Sequence, residues 1–237
     1  YELGYTELFK LTKTFINDYD FKYNEDEDLS MYADIRGQII HKVFEEETEL
    51  SQLKEKVNQL IGKYAYRIES NKDKLLESIL SDLQNYYDSE TYNRIKLYQN
   101  YKNEYEIYSK ENDYYIYGII DKLIIEDGTI TIIDYKTDNV SMEKLISKSE
   151  HYIPQLKFYA YAVSRKFKEA EKIDVELLFI KHPENPMKYS FKKEEIKAYG
   201  QEIKRKVDLI RAKQFGKNLS HCNSCHFSLN RECVFQS

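Results

Sequence analysis

Residues 118–136 read G-I-I-D-K-L-I-I-E-D-G-T-I-T-I-I-D-Y-K. Two isoleucine-rich runs flank Asp127-Gly128, and an Asp-Gly step between such runs is a strong signal for a tight β-hairpin. With those two residues as the turn, Glu126 pairs with Thr129. The same register carried outward sets Asp121 opposite Asp134. Side chains opposed across antiparallel strands share a face, and like charges there repel. Lys136, two residues beyond Asp134, projects from that face too. One face then carries Ile119, Asp121, Leu123 and Ile125 beside Ile130, Ile132, Asp134 and Lys136. The other carries Ile116, Gly118, Ile120 and Ile124 beside Ile133 and Tyr135. Both are largely apolar, so both are expected to be covered. Buried carboxylates need a positive partner or become neutral. Two acids and a lysine so placed suggest a divalent-metal phosphodiesterase site. For Asp134-x-Lys136 alone, the plain alternative is an ion pair at a strand end.

The surrounding pattern is expected to supply both covering layers. Helical periodicity runs over 5–18, then over about 33–49 with Ile35, Ile39, Ile40, Val43 and Phe44 as the apolar stripe, and again over about 50–66 and 72–87. An acidic loop holds Glu25 to Asp28. From about Tyr101 the pattern turns to strands: around Tyr105 and Ile107, at 114–125 and 129–137, and later at 173–181 and 187–191. A loop or short helix is expected at 141–150, a helix from Ile153 to Lys168, and a long basic helix from about Lys192 to Lys213. The fold class this predicts is α/β: a mixed central sheet flanked by helices, with a helical N-terminal part. With 237 residues, seven Gly, three Pro and no low-complexity linker, one domain is expected. Its parts would be a helical region at about 1–100, a catalytic core at about 101–215 and a Cys-containing tail at 216–237.

Net charge is −5, but the balance is −12 over residues 1–150 and +7 over 151–237. The C-terminal third could thus present a phosphate-contacting surface, although solvated helix faces explain the same bias. No apolar run approaches the ~20 residues of a membrane span. The chain begins at Tyr1 with no signal-peptide pattern, which suggests a processed chain or an excised domain and a cytoplasmic setting. No phosphate-binding loop of the G-x-x-x-x-G-K-[ST] type is present, since Gly62-Lys63-Tyr64 does not fit, so no ATP motor is expected here. There is no G-x-S-x-G either.

Three further groups bear on the site. His41 lies four residues after Gly37 and four before Glu45, on one helix face. A glycine inside a helix costs about 1 kcal/mol relative to alanine, so a close approach is expected at Gly37. His41 is then a candidate nitrogen ligand, against the ordinary reading of a core or surface histidine. Gln155 and Tyr159 share a face of a later helix and would bind a phosphate or base, or simply be half-buried helix residues. Glu104 and Glu106 sit on the preceding strand, with nothing to say which would reach the site.

The segments R-G-Q-I-I-H, G-I-I-D-K-L, I-I-D-Y-K-T-D and Y-I-P-Q-L-K-F-Y-A-Y-A, in that order, resemble the PD-(D/E)XK nuclease superfamily. Within it they resemble the RecB-like nuclease domain of AddA- and RecB-type helicase–nucleases. The resemblance covers roughly residues 33–165. It implies a Mg²⁺- or Mn²⁺-dependent deoxyribonuclease, an exonuclease acting on DNA ends in double-strand break repair. A helicase would lie on the same polypeptide or on a partner subunit. By motif match, His41, Asp121, Asp134 and the backbone carbonyl of Tyr135 would hold the metal. Lys136 would orient the attacking water, and Gln155 and Tyr159 would hold DNA or brace the site. The competing function is a DNA-binding or scaffold module that has lost activity. The tail H-C-N-S-C-H-F-S-L-N-R-E-C carries Cys222, Cys225 and Cys233, the only cysteines. Some RecB-like nucleases hold a 4Fe–4S cluster with three such cysteines and a fourth near the N-terminus. Here T-E-L-F-K-L-T-K-T-F supplies no fourth cysteine, and the gap from Cys225 to Cys233 is longer than that family's. A cluster, a Zn²⁺ site with a histidine, and a metal-free tail all remain open.

Overall fold

The computed structural model describes residues 2–4, 29, 31–68, 70–126 and 128–214. The expected helix at 5–18, the acidic loop and the cysteine tail lie outside them. The described chain forms β1 (Glu2–Gly4), α1 (Ala33–Glu45), α2 (Leu53–Lys63), α3 (Lys72–Asp88), α4 (Glu90–Ile95), β2 (Tyr101–Lys110), β3 (Tyr115–Glu126), β4 (Thr129–Lys136), α5 (Leu145–Lys166), β5 (Lys172–Phe179), β6 (Met187–Lys192) and α6 (Lys193–Arg211).

The strands make one mixed sheet in the order β1-β3-β4-β5-β6, with β2 on the other side of β3. β4 and β5 run parallel, as do β1 and β3; the other pairs are antiparallel. Helices α5 and α6 cover one face with Leu156, Phe158, Val163, Ile196, Ile203 and Val207, packed on Ile132, Val175, Leu177 and Phe179 of the strands. Helices α1 to α4 cover the other with Ile39, Val43, Ile61, Ile79 and Leu83, packed on Ile124, Ile133 and Leu178. This is the expected α/β class.

Two helix boundaries differ most from the sequence pattern. α1 stops at Glu45 rather than Glu49, because Thr48 N–H turns back to the Val43 carbonyl and Glu47 takes a positive φ of 50°. α5 begins at Leu145 and passes through Pro154 without ending. A proline lacks an N–H and disfavours a helix interior, which is why the sequence pattern starts the helix there. Tertiary packing overrides that rule: Leu145 and Ser149 upstream of it are buried, and Tyr199 of α6 donates to the Pro154 carbonyl at 3.0 Å.

The hairpin register is the expected one from Glu126–Thr129 through Lys122–Ile133, and Gly128 takes a φ of 72° at the turn, where a side chain would be strained. The faces are not those expected. Ile116, Ile120 and Leu123 all belong to the α5 side, whereas Ile124 packs toward α1. Strict alternation cannot place residues 120 and 123 together, so it breaks at Asp121-Lys122. Strand β2 breaks at the matching place. Tyr101 packs toward α1 and Tyr105 toward α5, and Glu104 between them has a φ of 42° and forms no ladder pair with Asp121. The register is the same on either side, Asn103–Lys122 and Tyr105–Ile120, so no residue is inserted; both strands turn together at one position, and that re-aims their side chains. Asp121 and Lys122 both turn to the α1 side, where they meet His41 and Glu47 respectively.

Candidate metal centre

The site forms where β3 and β4 part. On that edge β3 pairs with β4 over residues 122–126 and with β1 over 115–117, and among the described residues no ladder pair joins 118–121 to either strand. Asp121 sits in this gap. Its Oδ2 accepts the Tyr135 backbone N–H at 2.7 Å, which replaces the next rung of the ladder. The expected face-to-face pair with Asp134 therefore does not form. The two acids reach the gap from different sides, Asp121 from the α1 side and Asp134 from the side of Lys136 and α5.

Helix α1 presents His41 to Asp121. The close approach expected at Gly37 is to the end of β4: a Cβ there would lie 3.2 Å from Thr137 Oγ1. Arg36, on the same turn, donates to the Thr137 carbonyl and to Asp82 of α3, so α1 is tied to the strand that carries Asp134 and Lys136. His41 Nδ1 stands 3.4 Å from Asp121 Oδ1 and 3.8 Å from Glu104 Oε1. Candidate ligand atoms of His41, Glu104 and Asp121 all lie within 4.8 Å of one another. Of the two acids on β2, Glu104 is the one delivered. Burial works against the charged imidazole, yet the Asp121 and Glu104 carboxylates outweigh it and hold the His41 pKa up at about 10.

Asp134 stands outside that group of three, 2% exposed, with Oδ2 2.6 Å from Lys136 Nζ. That ion pair is the contact this buried carboxylate oxygen makes, and among the described residues it has no other hydrogen-bond partner. Burial pushes the carboxyl up to about 6; Lys136 opposes the shift and the Asp121 charge adds to it. Tyr135, between Asp134 and Lys136, is locked on the α1 side by Phe44 (ring centroids 4.6 Å apart) and by Tyr86 (hydroxyls 3.3 Å apart). The backbone that carries the acid and the lysine is held by that packing.

Helix α5 braces Lys136. Its Nζ donates to Gln155 Oε1 at 3.1 Å, and Gln155 Nε2 donates to the Tyr159 hydroxyl at 2.9 Å, so the expected pair acts along one chain of hydrogen bonds. Sequence reasoning misses Tyr152. Its ring lies 4.4 Å from Lys136 Nζ, and its hydroxyl donates to both oxygens of Asp138, at 3.0 and 2.8 Å. The available signal is its place one turn before Gln155 on the same helix face.

The donors fit a hard divalent cation. One imidazole and three carboxylates, one of them buried beside a lysine, suit Mg²⁺ or Mn²⁺ better than a soft metal. No sequence-predicted residue in the described chain is stranded far from this gap, whereas Cys222, Cys225 and Cys233 lie outside the described residues.

A mixed sheet between two helical layers, with carboxylates and a lysine at the parting of a central hairpin, defines a restriction-endonuclease-like α/β protein. The chain belongs to the PD-(D/E)XK nuclease superfamily, whose family model matches residues 14–229. A 49-residue stretch, 21% of the chain, is 45% identical to an ATP-dependent helicase/nuclease subunit of Oenococcus oeni, and spans only 4% of that relative's length. The fold is similar to the solved structure of a Eubacterium rectale protein provisionally described as an exonuclease, with a TM-score of 0.61 and 9% identity over 100% of this chain and 90% of that one. At that identity the likeness concerns fold alone. No helix among the described residues is long and apolar enough to cross a membrane.

Proposed function

We propose that the chain is a Mg²⁺- or Mn²⁺-dependent deoxyribonuclease that hydrolyses phosphodiester bonds, acting as an exonuclease on DNA ends. The observation that carries this reading is the convergence of His41, Glu104 and Asp121 with the Asp134–Lys136 pair in the β3–β4 gap. His41, Glu104, Asp121, Asp134 and the Tyr135 carbonyl would hold the cation. When bound, the cation would lower the pKa of a coordinated water and polarise a phosphoryl oxygen. Lys136 would orient the attacking water and offset charge developing on the phosphate. Gln155 and the Tyr152 ring keep that ammonium directed into the gap, and Tyr159 holds Gln155. Gln155 and Tyr159 would also contact DNA once substrate displaces part of this chain of bonds.

The short match to a helicase/nuclease subunit supports placing the chain as the nuclease part of a helicase–nuclease that processes double-strand breaks in the cytoplasm. The helicase would be a further segment or a partner subunit. The cysteine tail would hold 4Fe–4S or Zn²⁺ in such an assembly, and elemental analysis of the purified chain decides between these and no metal. The function itself is tested by incubating labelled single- and double-stranded DNA with and without Mg²⁺. Metal-dependent product that disappears in Asp134→Ala and Lys136→Ala is expected. Binding without product would favour the non-catalytic DNA-binding module.

A further inference from the structure

Beside the metal centre, a recess of about 330 Å³ opens between α1 and α2. It shares His41 and Glu104 with the centre, and Gln38, Lys42, Glu45, Leu60, Lys63 and Tyr64 line the rest. Its size is at the low end of the ~300–1,000 Å³ of small-ligand sites, too small for a duplex. Leu60 is buried and gives an apolar floor. The Tyr64 hydroxyl donates to Gln38 Oε1 at 2.9 Å, which fixes the ring at the end of α2. Lys42, also on the lip, is occupied by Glu45 at 2.7 Å and Glu46 at 3.4 Å. Lys63, in the last turn of α2, makes no ion pair among the described residues. An aromatic ring, an apolar floor and an available ammonium are the elements with which proteins hold single-stranded nucleic acid: stacking for the base, a cation for the phosphate. Because the recess runs into His41 and Glu104, its occupant would be covalently continuous with a phosphodiester at the metal centre.

We propose that this recess is a nucleotide subsite that takes one unpaired deoxynucleotide next to the bond being cleaved, its base against Tyr64 and Leu60 and its outer phosphate beside Lys63. The proposal rests on the nuclease reading and adds the residues that seat the nucleotide beside the cleaved bond. It is tested with the full chain by cleavage of a single-stranded oligonucleotide in Mn²⁺, comparing Tyr64→Leu, Tyr64→Phe and Lys63→Gln. Tyr64→Leu should raise KM on the order of tenfold and Lys63→Gln about threefold, with kcat within about twofold. Tyr64→Phe keeps the ring but loses the bond to Gln38 that fixes it, and should fall between wild type and Tyr64→Leu. In an Asp134→Ala background, which prevents cleavage, fluorescence anisotropy of a labelled tetranucleotide should weaken in the same order. If wild type cleaves while neither Lys63→Gln nor Tyr64→Leu changes KM or binding, the subsite is overturned and the nuclease reading stands. If wild type does not cleave but binds the tetranucleotide in a Tyr64-dependent way, the subsite stands and the nuclease reading falls. A wild-type chain that binds only duplex overturns the subsite.

Discussion

At its turn the β3–β4 hairpin keeps an unbroken ladder from Glu126–Thr129 to Lys122–Ile133, with isoleucines packed into the layers on either side. One residue further out the ladder stops, a side chain takes over a backbone hydrogen bond, and two neighbouring strands lose their alternation together. The turn end buries apolar groups at low cost, and the far end buries a carboxylate against a lysine. The same two strands thus divide the work: regular pairing supplies stability, and the break supplies donors aimed at one point from three elements. An unbroken sheet would have left Asp121 on the α5 side, away from His41.

This division can be broken at either end. The largest effect is expected at the far end: Asp134→Ala or Lys136→Ala should lower Mg²⁺-dependent DNA cleavage by about 10³-fold or more, while circular dichroism shows the fold intact. At the regular end, Ile132→Ala should cost about 3 kcal/mol in urea unfolding, since Ile132 is fully buried, and the folded fraction should cleave at the wild-type rate. A cleavage loss there matching that of Lys136→Ala would erase the distinction between the two ends.

A third prediction sharpens the cost of the site. The folded pKa of Asp134, about 6, lies above its ordinary value of 3.8, so the ionised form is disfavoured in the fold. The resulting penalty is complete above about pH 6 and absent below about pH 3.8. In EDTA at pH 7.5, Asp134→Asn should therefore be more stable than wild type by about 2 kcal/mol, with the gap closing as pH falls toward 4. Equal stabilities at pH 7.5 would show that Lys136 already compensates the buried charge. The smallest effect belongs to the turn: Gly128→Ala, at a φ of 72°, should cost about 1 kcal/mol and leave cleavage unchanged.

Much of this was legible in the residues. The Asp-Gly turn and the flanking isoleucines set a register that the strands keep over every rung they form. Gly37 announced a close approach, and the four-residue spacing of Gln155 and Tyr159 announced a shared role. The paired break at Glu104 and Asp121 was not legible, because neither strand carries a glycine or proline there and the strain sits on a glutamate with positive φ. Strict alternation also puts Glu104 and Glu106 on one face, so only distance separates them, and distance comes from where α1 docks. Pro154 misled for the opposite reason: its local rule is sound, but the buried residues on both sides of it outweigh one lost hydrogen bond.

If His41, Glu104, Asp121 and Asp134 share one divalent cation, anomalous diffraction from crystals soaked in Mn²⁺ will locate it. One strong peak in the β3–β4 gap, at about 2.0–2.4 Å from a His41 nitrogen and from carboxylate oxygens of Asp121 and Asp134, is the predicted result. No peak there at saturating Mn²⁺, or a peak held by other residues, would contradict it.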